Sequence, residues 1–520
     1  MLESVLLLVL PAMIVFASDG LSQNWLGTFF RAFVRAAIFG GPALFVGGLV
    51  LPLTFRLAAG GAVGPRLGGL LAANTLGGIV GSLGASFLLL DVLSLWWSLA
   101  AVGIAYGIAS LLVRGAPSFW FGRAAGLAVI VGVVLLSPLG AARLPIVSLK
   151  KGDRLLAREG GAHGVVTVVQ KADGDRAINI DNHYVLAGAS GSALDTRAGH
   201  LPLLLHQDPK RVLFIGSATG STAAAAVFQP VEQIVLVEIV PQVHDLAAQY
   251  FAEENLGVHK DPRTRLVVED GRNHLRATAE EYDVIVSDLF TPWRRGVGSL
   301  YSIEHFRAAA AHLEHGGVFC QWLALYQLSE PEFKIIAATF LEVFPHATLW
   351  RDNFLAQAPT LALIGVIGPL PTAEQVDARA RQLAAHGVKD RWVSDPSGVW
   401  MLYLGPLAAL SAELAGVVPT RDDRPIFEYL AGRTPQQRRL RFVMDQWPQM
   451  VQRLAAARSR GGIPGARLDL AEAGDLFSEA SRLFAHGQTE ALRPVLRELR
   501  RRVPPHLLSP RDPLMADVWP

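Results

Sequence analysis

Four short stretches carry residues that could hold a small ligand and do chemistry on it. Gly216-Ser217-Ala218-Thr219-Gly220 follows an apolar run, and glycines there let the backbone approach a ligand and turn tightly into a helix. The next apolar run ends in Glu238, where a carboxylate can accept both hydroxyls of a ribose. A third run ends in Glu269-Asp270-Gly271, suited to an adenine edge, and a fourth ends in Asp288. Each motif alone is common: the glycine turn could be a plain strand–helix connection and Glu238 a surface cap. The ordered set favours an adenosine ligand, without separating a nicotinamide cofactor from S-adenosylmethionine.

The elements that must position these residues are strands alternating with amphipathic helices. Strands are expected at Val212–Ile215, Gln233–Val237, Thr264–Val268, Val284–Ser287, Gly317–Trp322 and Ala347–Trp350. Pro241–Phe251 and Ile303–Leu313 read as helices, and an alanine-rich helix is expected after the glycine turn. Such alternation predicts a doubly wound α/β sheet, with its ligand outside the carboxyl ends of the strands. Gly164–Gln170 and Ala177–Ile180 read as strands of a small β-rich lead-in.

The rest of the chain differs in kind. Of its 47 basic and 45 acidic residues, nine fall in residues 1–142, which hold long uncharged stretches. Ala36–Phe55, Leu67–Leu90, Val92–Val113 and Ala124–Ala142 are each close to the length of a spanning helix. Ser4–Ala17 reads as a short or tilted first span, with Glu3 where a signal peptide would be basic. The fold class expected is therefore multi-domain. A transmembrane helical bundle of about five spans occupies 1–145 and a β-rich lead-in 146–205. A Rossmann-like α/β domain follows over 206–432, then a C-terminal helical segment over 433–520. Basic residues flanking the spans barely bias orientation. Ala73, Gly77, Gly81 and Ala85 form a small-residue stripe, expected to pack inside the bundle ahead of forming a homodimer face. A net charge of +2 with mixed signs implies no nucleic-acid partner, and a single cysteine, Cys320, excludes a disulfide framework.

The stretch His200–Trp350 resembles the spermidine synthase family of aminopropyltransferases. The resemblance lies in His200-Leu201-Pro202-Leu203, Arg211–Gly220, Val237-Glu238, Glu269-Asp270-Gly271, Tyr282-Asp283-Val284-Ile285 and Asp288. The membrane-fused branch of that family is the closer match. It is carried by Asn74-Thr75-Leu76-Gly77, Tyr250–Asn255, Asp270-Gly271-Arg272-Asn273, Leu300-Tyr301-Ser302, Gly316–Trp322 and Asp422-Asp423-Arg424-Pro425. The resemblance implies a decarboxylated S-adenosylmethionine donor, methylthioadenosine as product and no prosthetic group. It implies Glu238 as ribose acceptor, Asp270 as adenine contact and Asp288 as the acid of the catalytic loop. A carboxylate at Asp288 could orient an amine and take its proton as the amine attacks the carbon next to a sulfonium. The donor-side candidates are Gly216, Ser217, Thr219, Gly220, Glu238, Ile239, Asp270, Gly271 and His163. The acceptor-side candidates are Asp195, Thr291, Trp293 and Tyr301.

Departures from the family pattern keep other readings open. Thr219 stands where the family's glycine loop has an acid, and Thr291 where a second acid follows the catalytic one. Leu194-Asp195 replaces a tyrosine–glutamine pair, and His163 a lead-in glutamine. A threonine in the loop could accommodate the carboxylate of intact S-adenosylmethionine, used for methyl or aminocarboxypropyl transfer or cleaved without an acceptor. A non-catalytic nucleoside or polyamine sensor is a third reading. The partners expected are a lipid bilayer, an adenosyl-sulfonium molecule and an amine or membrane-delivered acceptor, with the soluble part placed in the cytoplasm by its chemistry.

Smaller features are read against bland alternatives. His163, His183, His200 and His274 match no metal-ligand spacing. Asp422-Asp423 reads equally as a local cap or as part of a closure. Trp293 and Tyr301 flank Gly296-Val297-Gly298, which reads as a lid or as a surface loop with an apolar anchor. The basic runs Arg438-Arg439-Leu440-Arg441 and Arg500-Arg501-Arg502 belong to an expected solvated helical cap, with lipid headgroups as the alternative partner.

Overall fold

A computed structural model describes residues 149–508 except 162, 182, 183 and 460, helical residues 41–58 and 63–112, and a few residues near 33–37 and 127–132. It divides into two compact units, 1–186 and 187–520.

In the first unit, helix Gly41–Ala58 precedes a longer helical run. Val63–Gly84 passes through a π turn, Ala85–Leu89, into Leu90–Leu112. The expected spans Leu67–Leu90 and Val92–Val113, with Asp91 between them, are thus joined in one helical run, because one acid without a Gly or Pro turn does not break a helix. Among the described residues one window, Leu67–Leu89, is long and apolar enough to cross a membrane. Ser4–Ala17 and nearly all of Ala124–Ala142 lie outside the described residues. Around the small-residue stripe, no described atom lies within 4 Å of a Cβ built on Gly77 or Gly81, with those two expected spans wholly or almost wholly outside the described residues. Leu76, Ile79, Val80 and Leu83 beside it are exposed. The β-rich lead-in is a four-stranded sheet of β1 (Arg154–Gly161), β2 (Gly164–Gln170), β3 (Arg176–Ile180) and β4 (Tyr184–Gly188), in that order. Val166, Val168, Ile178 and Ile180 are buried, the alternation that covers one face of a small sheet.

The second unit is built on an eight-stranded sheet. Its strands are β5 (Arg211–Ile215), β6 (Gln233–Glu238), β7 (Thr264–Val268), β8 (Tyr282–Ser287), β9 (Leu313–Ala324), β10 (Thr348–Arg351), β11 (Thr360–Val366) and β12 (Tyr403–Pro406). Their order is β12-β10-β11-β9-β8-β5-β6-β7. Strands β7, β6, β5, β8 and β9 pair in parallel. β11 is antiparallel to β9, and β10 antiparallel to β11, so β10 points the same way as the parallel set. All six expected strands from Val212 onward are present, and their near-continuous Val, Ile and Leu runs are buried on both faces, as a covered parallel sheet requires, except in the edge strand β7, where Leu266 and Val268 are exposed. Strand order reverses between β5 and β8, so a crevice opens at their carboxyl ends.

Two expectations fail locally. The alanine-rich stretch after the glycine turn forms only a short 3₁₀ turn, Ala223–Phe228. Helix Ser192–Leu204 lies so close that a Cβ on Gly199 would sit 1.9 Å from the carbonyl oxygen of Thr222. The residues after Thr434 are not a solvated cap. Phe477, Leu483, Leu496 and Leu499 are buried in one cluster with Trp350 and Trp400, because helices Leu468–Ala485 and Thr489–Arg502 each turn an apolar stripe to the core. Gly199→Ala therefore drives a methyl into backbone that cannot yield. The expected outcome is a loss of about 2 kcal/mol or more, read as a lower unfolding midpoint. Gly432→Ala, where a Cβ meets no described atom within 4 Å, should leave the midpoint unchanged.

Candidate active site

The crevice is assembled by backbone hydrogen bonds among strand ends. Gly216 N–H donates to the carbonyl of Val237 at 2.9 Å, and Asp288 N–H to that of Ile215 at 3.1 Å. The tip of β5 is thereby tied to β6, and Asp288 to the tip of β5. Gly216 adopts φ +85°, a region that glycine enters without the cost a Cβ brings. A Cβ there would also press on the Phe290 ring at 3.2 Å.

Glu238 ties the loop to β6. One carboxylate oxygen accepts the N–H of Ser217 and the other that of Val240, both at 3.1 Å. The carboxylate is 9% exposed, and each oxygen keeps a lone pair for a further donor. Ile239 beside it is an exposed apolar residue at the strand end. Asp270 caps helix Gly271–Ala277, accepting the N–H groups of Arg272 and Asn273 through Oδ1. Its structural role is thus visible, and no hydrogen bond occupies Oδ2 among those described. Gly271 is bare because a Cβ there would sit 2.3 Å from Ile215.

Asp288 lies at the reversal of strand order. Oδ2 accepts the hydroxyl of Thr222 at 2.9 Å and Oδ1 the N–H of Leu289 at 2.7 Å. Burial pushes its pKa up to about 6, since a charge in low dielectric is disfavoured. Asp195, on the first turn of helix Ser192–Leu204, is pushed up to about 8, first by burial and then by the charges of Asp288 and Asp352. Asp195 is half-buried, and the protein around it excludes most water. Asp352 follows β10 and is raised to about 6 by burial. Three acids therefore share one poorly hydrated region, an arrangement suited to a cation.

The other sequence candidates fall in different places. The hydroxyl of Thr219 pairs with Ser221 at 2.9 Å, and its carbonyl accepts Asn255 Nδ2. Ser217 Oγ is 3.5 Å from His244 Nδ1. A Cβ on Gly220 would meet His259 at 2.4 Å. Thr291 is buried with no partner for its hydroxyl among the described residues. Tyr301 is a core residue, its ring edge-on to Phe427 at 4.9 Å, which makes it the loop's apolar anchor. Trp293 is exposed on one face, with the Arg439 guanidinium 4.1 Å from its ring centre. Both carboxylate oxygens of Glu428 take loop N–H groups, from Gly296 and Gly298, at 2.7 Å. The glycine-rich loop is thus clamped from the C-terminal side. Asp422 pairs with Arg272 and Arg276 at 2.6 and 3.0 Å and acts as a local tie. His163 is exposed in the β1–β2 turn of the first unit, and His183 lies outside the described residues. No metal-holding group of His, Cys, Asp or Glu occurs among the described residues.

Sequence reading missed Thr222, Phe290, Gln321, Glu428 and Asp352. Only Asp352 had a signal, an acid just after an expected strand. A separate cavity of ≈ 410 Å³, with Leu325, Leu361, Trp447 and Leu476 among its walls, lies against Asn353 and Thr360. It includes none of the strand-end acids, so we place the chemistry in the crevice and not there.

Residues 195–360 match the family model described as the spermine/spermidine synthase domain. A polyamine aminopropyltransferase from Serratia proteamaculans is 40% identical over 121 residues, 23% of this chain and 42% of that one. The one from Erwinia tasmaniensis is 31% identical over 168 residues, 32% of this chain and 59% of that one. The chain spans about half the length of these curated relatives. A solved spermidine synthase in complex with the transition state analogue AdoDATO is 22% identical, covering 41% of this chain and 74% of that chain at a TM-score of 0.37. A spermidine synthase structure from Thermotoga maritima gives 22% identity, 41% and 73% coverage and a TM-score of 0.36. Overlap at that level carries no argument of its own. Residues 195–360, which include the glycine loop and the acids Glu238, Asp270 and Asp288, are thus the part of the chain that is similar to the spermine/spermidine synthase domain.

Proposed function

We propose that the chain is an aminopropyltransferase that uses an adenosyl-sulfonium donor, decarboxylated S-adenosylmethionine, and releases methylthioadenosine. The observation that carries this reading is Asp288. It is buried at the sheet's reversal point, one backbone hydrogen bond from the glycine loop's strand, and within electrostatic reach of a second acid, Asp195. A cleft lined by carboxylates favours a donor whose side chain ends in an ammonium group over one that also bears a carboxylate. The nearby cation, Arg197, is held by Asp390 at 2.6 Å.

In the proposed step, the lone pair of a neutral amine forms a bond to the carbon attached to the sulfonium. The carbon–sulfur bond breaks and its electrons neutralise sulfur, leaving methylthioadenosine. The new ammonium gives its proton to Asp288 or to water. No covalent enzyme intermediate is needed, so the protein's part is positioning and proton transfer. Glu238 holds the ribose and Asp270 Oδ2 the adenine edge. The apolar N-terminal region is the membrane anchor in this reading, with the transferase unit on the cytoplasmic side where its soluble substrates lie.

The test is direct. Purified protein given the decarboxylated donor and a panel of amines should yield methylthioadenosine by mass spectrometry. S-adenosylhomocysteine formed from intact S-adenosylmethionine would replace aminopropyl by methyl transfer. Asp288→Asn should lower turnover by about 10²–10⁴-fold while methylthioadenosine still binds. Because Asp288 acts in its ionised form and titrates at about 6, wild-type turnover should rise with pH through that value, and the variant should lose this limb. Glu238→Ala leaves the N–H groups of Ser217 and Val240 without their acceptor, and should weaken methylthioadenosine binding by roughly tenfold or more, as read by calorimetry.

A further inference from the structure

The cavity between the sheet and the C-terminal helices takes no part in the crevice, and its sides differ in kind. Its volume, ≈ 410 Å³, falls in the range of about 300–1,000 Å³ typical of small-molecule sites. The sheet forms its floor, with Leu325 after β9, Leu361 on β11 and Leu404 on β12, all buried. One wall is the π turn Phe442–Gln446 and the helix that continues it, Trp447–Ala457. Val443, Trp447 and Val451 line the space from there, at the four-residue spacing that shares one helix face. The facing wall is helix Leu468–Ala485, which brings Leu476 and a charged stripe of Glu472, Asp475, Glu479 and Arg482. Both walls lie beyond residue 360, outside the part that is similar to the spermine/spermidine synthase domain.

Trp447, Val451 and Leu476 are only half-buried, although their helices pack on the core. Apolar side chains that meet no partner forgo both dispersion contacts and burial, so the space is matched to an apolar occupant. An apolar cavity of about 150 Å³ holds benzene. This one therefore has room for a single chain of roughly a dozen carbons.

On the polar side, every acid has a cation, but the cations have donors to spare. Asp475 is held by Arg351 and Arg458. Glu479 takes Nε and Nη2 of Arg482 at 2.8 and 2.7 Å. Arg502, also on the lining, gives Nε to Glu498 at 2.8 Å and Nη1 to Glu472 at 2.9 Å. Arg482 Nη1 and Arg502 Nη2 have no acceptor among the described residues. Both side chains reach solvent, at 27% and 42% exposure, so a charged ligand end there stays close to water. The guanidinium fork matches a carboxylate, whereas a cationic end meets only acids that are already paired.

We propose that this cavity binds a fatty acid, with its tail along Val443, Trp447, Val451 and Leu476 and its carboxylate on Arg482 and Arg502. The site is separate from the crevice and does not rest on the transferase reading.

The test uses the full-length protein in phosphatidylcholine nanodiscs and dodecanoic acid that carries a diazirine on its chain. After irradiation, the label should map by mass spectrometry to peptides from residues 443–455 and 468–485. Excess dodecanoate should remove it. Dodecanol and dodecylamine should compete at least about tenfold more weakly, the factor that a charge-assisted hydrogen bond corresponds to. Arg502→Gln, at an exposed position, should weaken dodecanoate binding by about the same factor. Leu476→Trp fills the space, and should abolish the label without lowering the unfolding midpoint. Where that variant does not fold, Val451→Trp decides on the same readout. Label spread over other peptides, equal competition by dodecanol, unchanged affinity in Arg502→Gln or undiminished label in the filled variant overturns the proposal. Loss of the label when phosphatidylglycerol replaces phosphatidylcholine also overturns it, because the cavity then belongs to a membrane lipid.

Discussion

Carboxylates collected at one edge of a sheet, where water cannot fully solvate them, are the constraint on which the rest of this structure depends. β10 points with the parallel strands because two antiparallel steps restore its direction. Four strands can therefore deliver acids to the same edge. Burial raises Asp195, Asp288 and Asp352 above the ordinary carboxylate range. In that state they are costly to the free protein and well matched to a cationic ligand. The glycine loop, the short 3₁₀ turn and the close approach at Gly199 hold this edge open without supplying charge of their own.

The loop is positioned differently from a nucleotide-binding turn that leads into a helix. A short 3₁₀ turn, not an α-helix, follows Gly220. The N–H of Ser217 is taken by Glu238. Loop and ribose acid form one unit, and a change at either should be felt by both. Thr219, which departs from the family pattern, is drawn into a local pair with Ser221 and Asn255.

The C-terminal helices complete the unit. Their apolar stripes close the core around Trp350 and Trp400. Just before them, Glu428 clamps both ends of the Gly296–Gly298 loop, while Arg439 covers Trp293. Arg439 is itself buried and donates to Ala431. A basic run that reads as solvated or lipid-facing thus includes a structural arginine. Arg502 pairs with Glu498 and Glu472 at 2.8 and 2.9 Å.

The sequence by itself determined six of the sheet's eight strands, the order of the strand-end motifs and the charge boundary near residue 142. Period and apolar runs are local properties, and a parallel sheet buried on both faces writes them plainly. Glu238, Asp270 and Asp288 were legible for the same reason, each an acid at the end of a strong run. Tertiary structure alone decided the rest. Ala223–Phe228 has helical composition, yet it forms a 3₁₀ turn packed closely against the helix that carries Gly199. Tyr301 reads as a ligand contact until Phe427 is found beside it. Asp352 carries the same strand-then-acid signal as Asp288, but its edge of the sheet depends on the directions of β9, β10 and β11. Strand direction is set by long-range pairing, which no local spacing records.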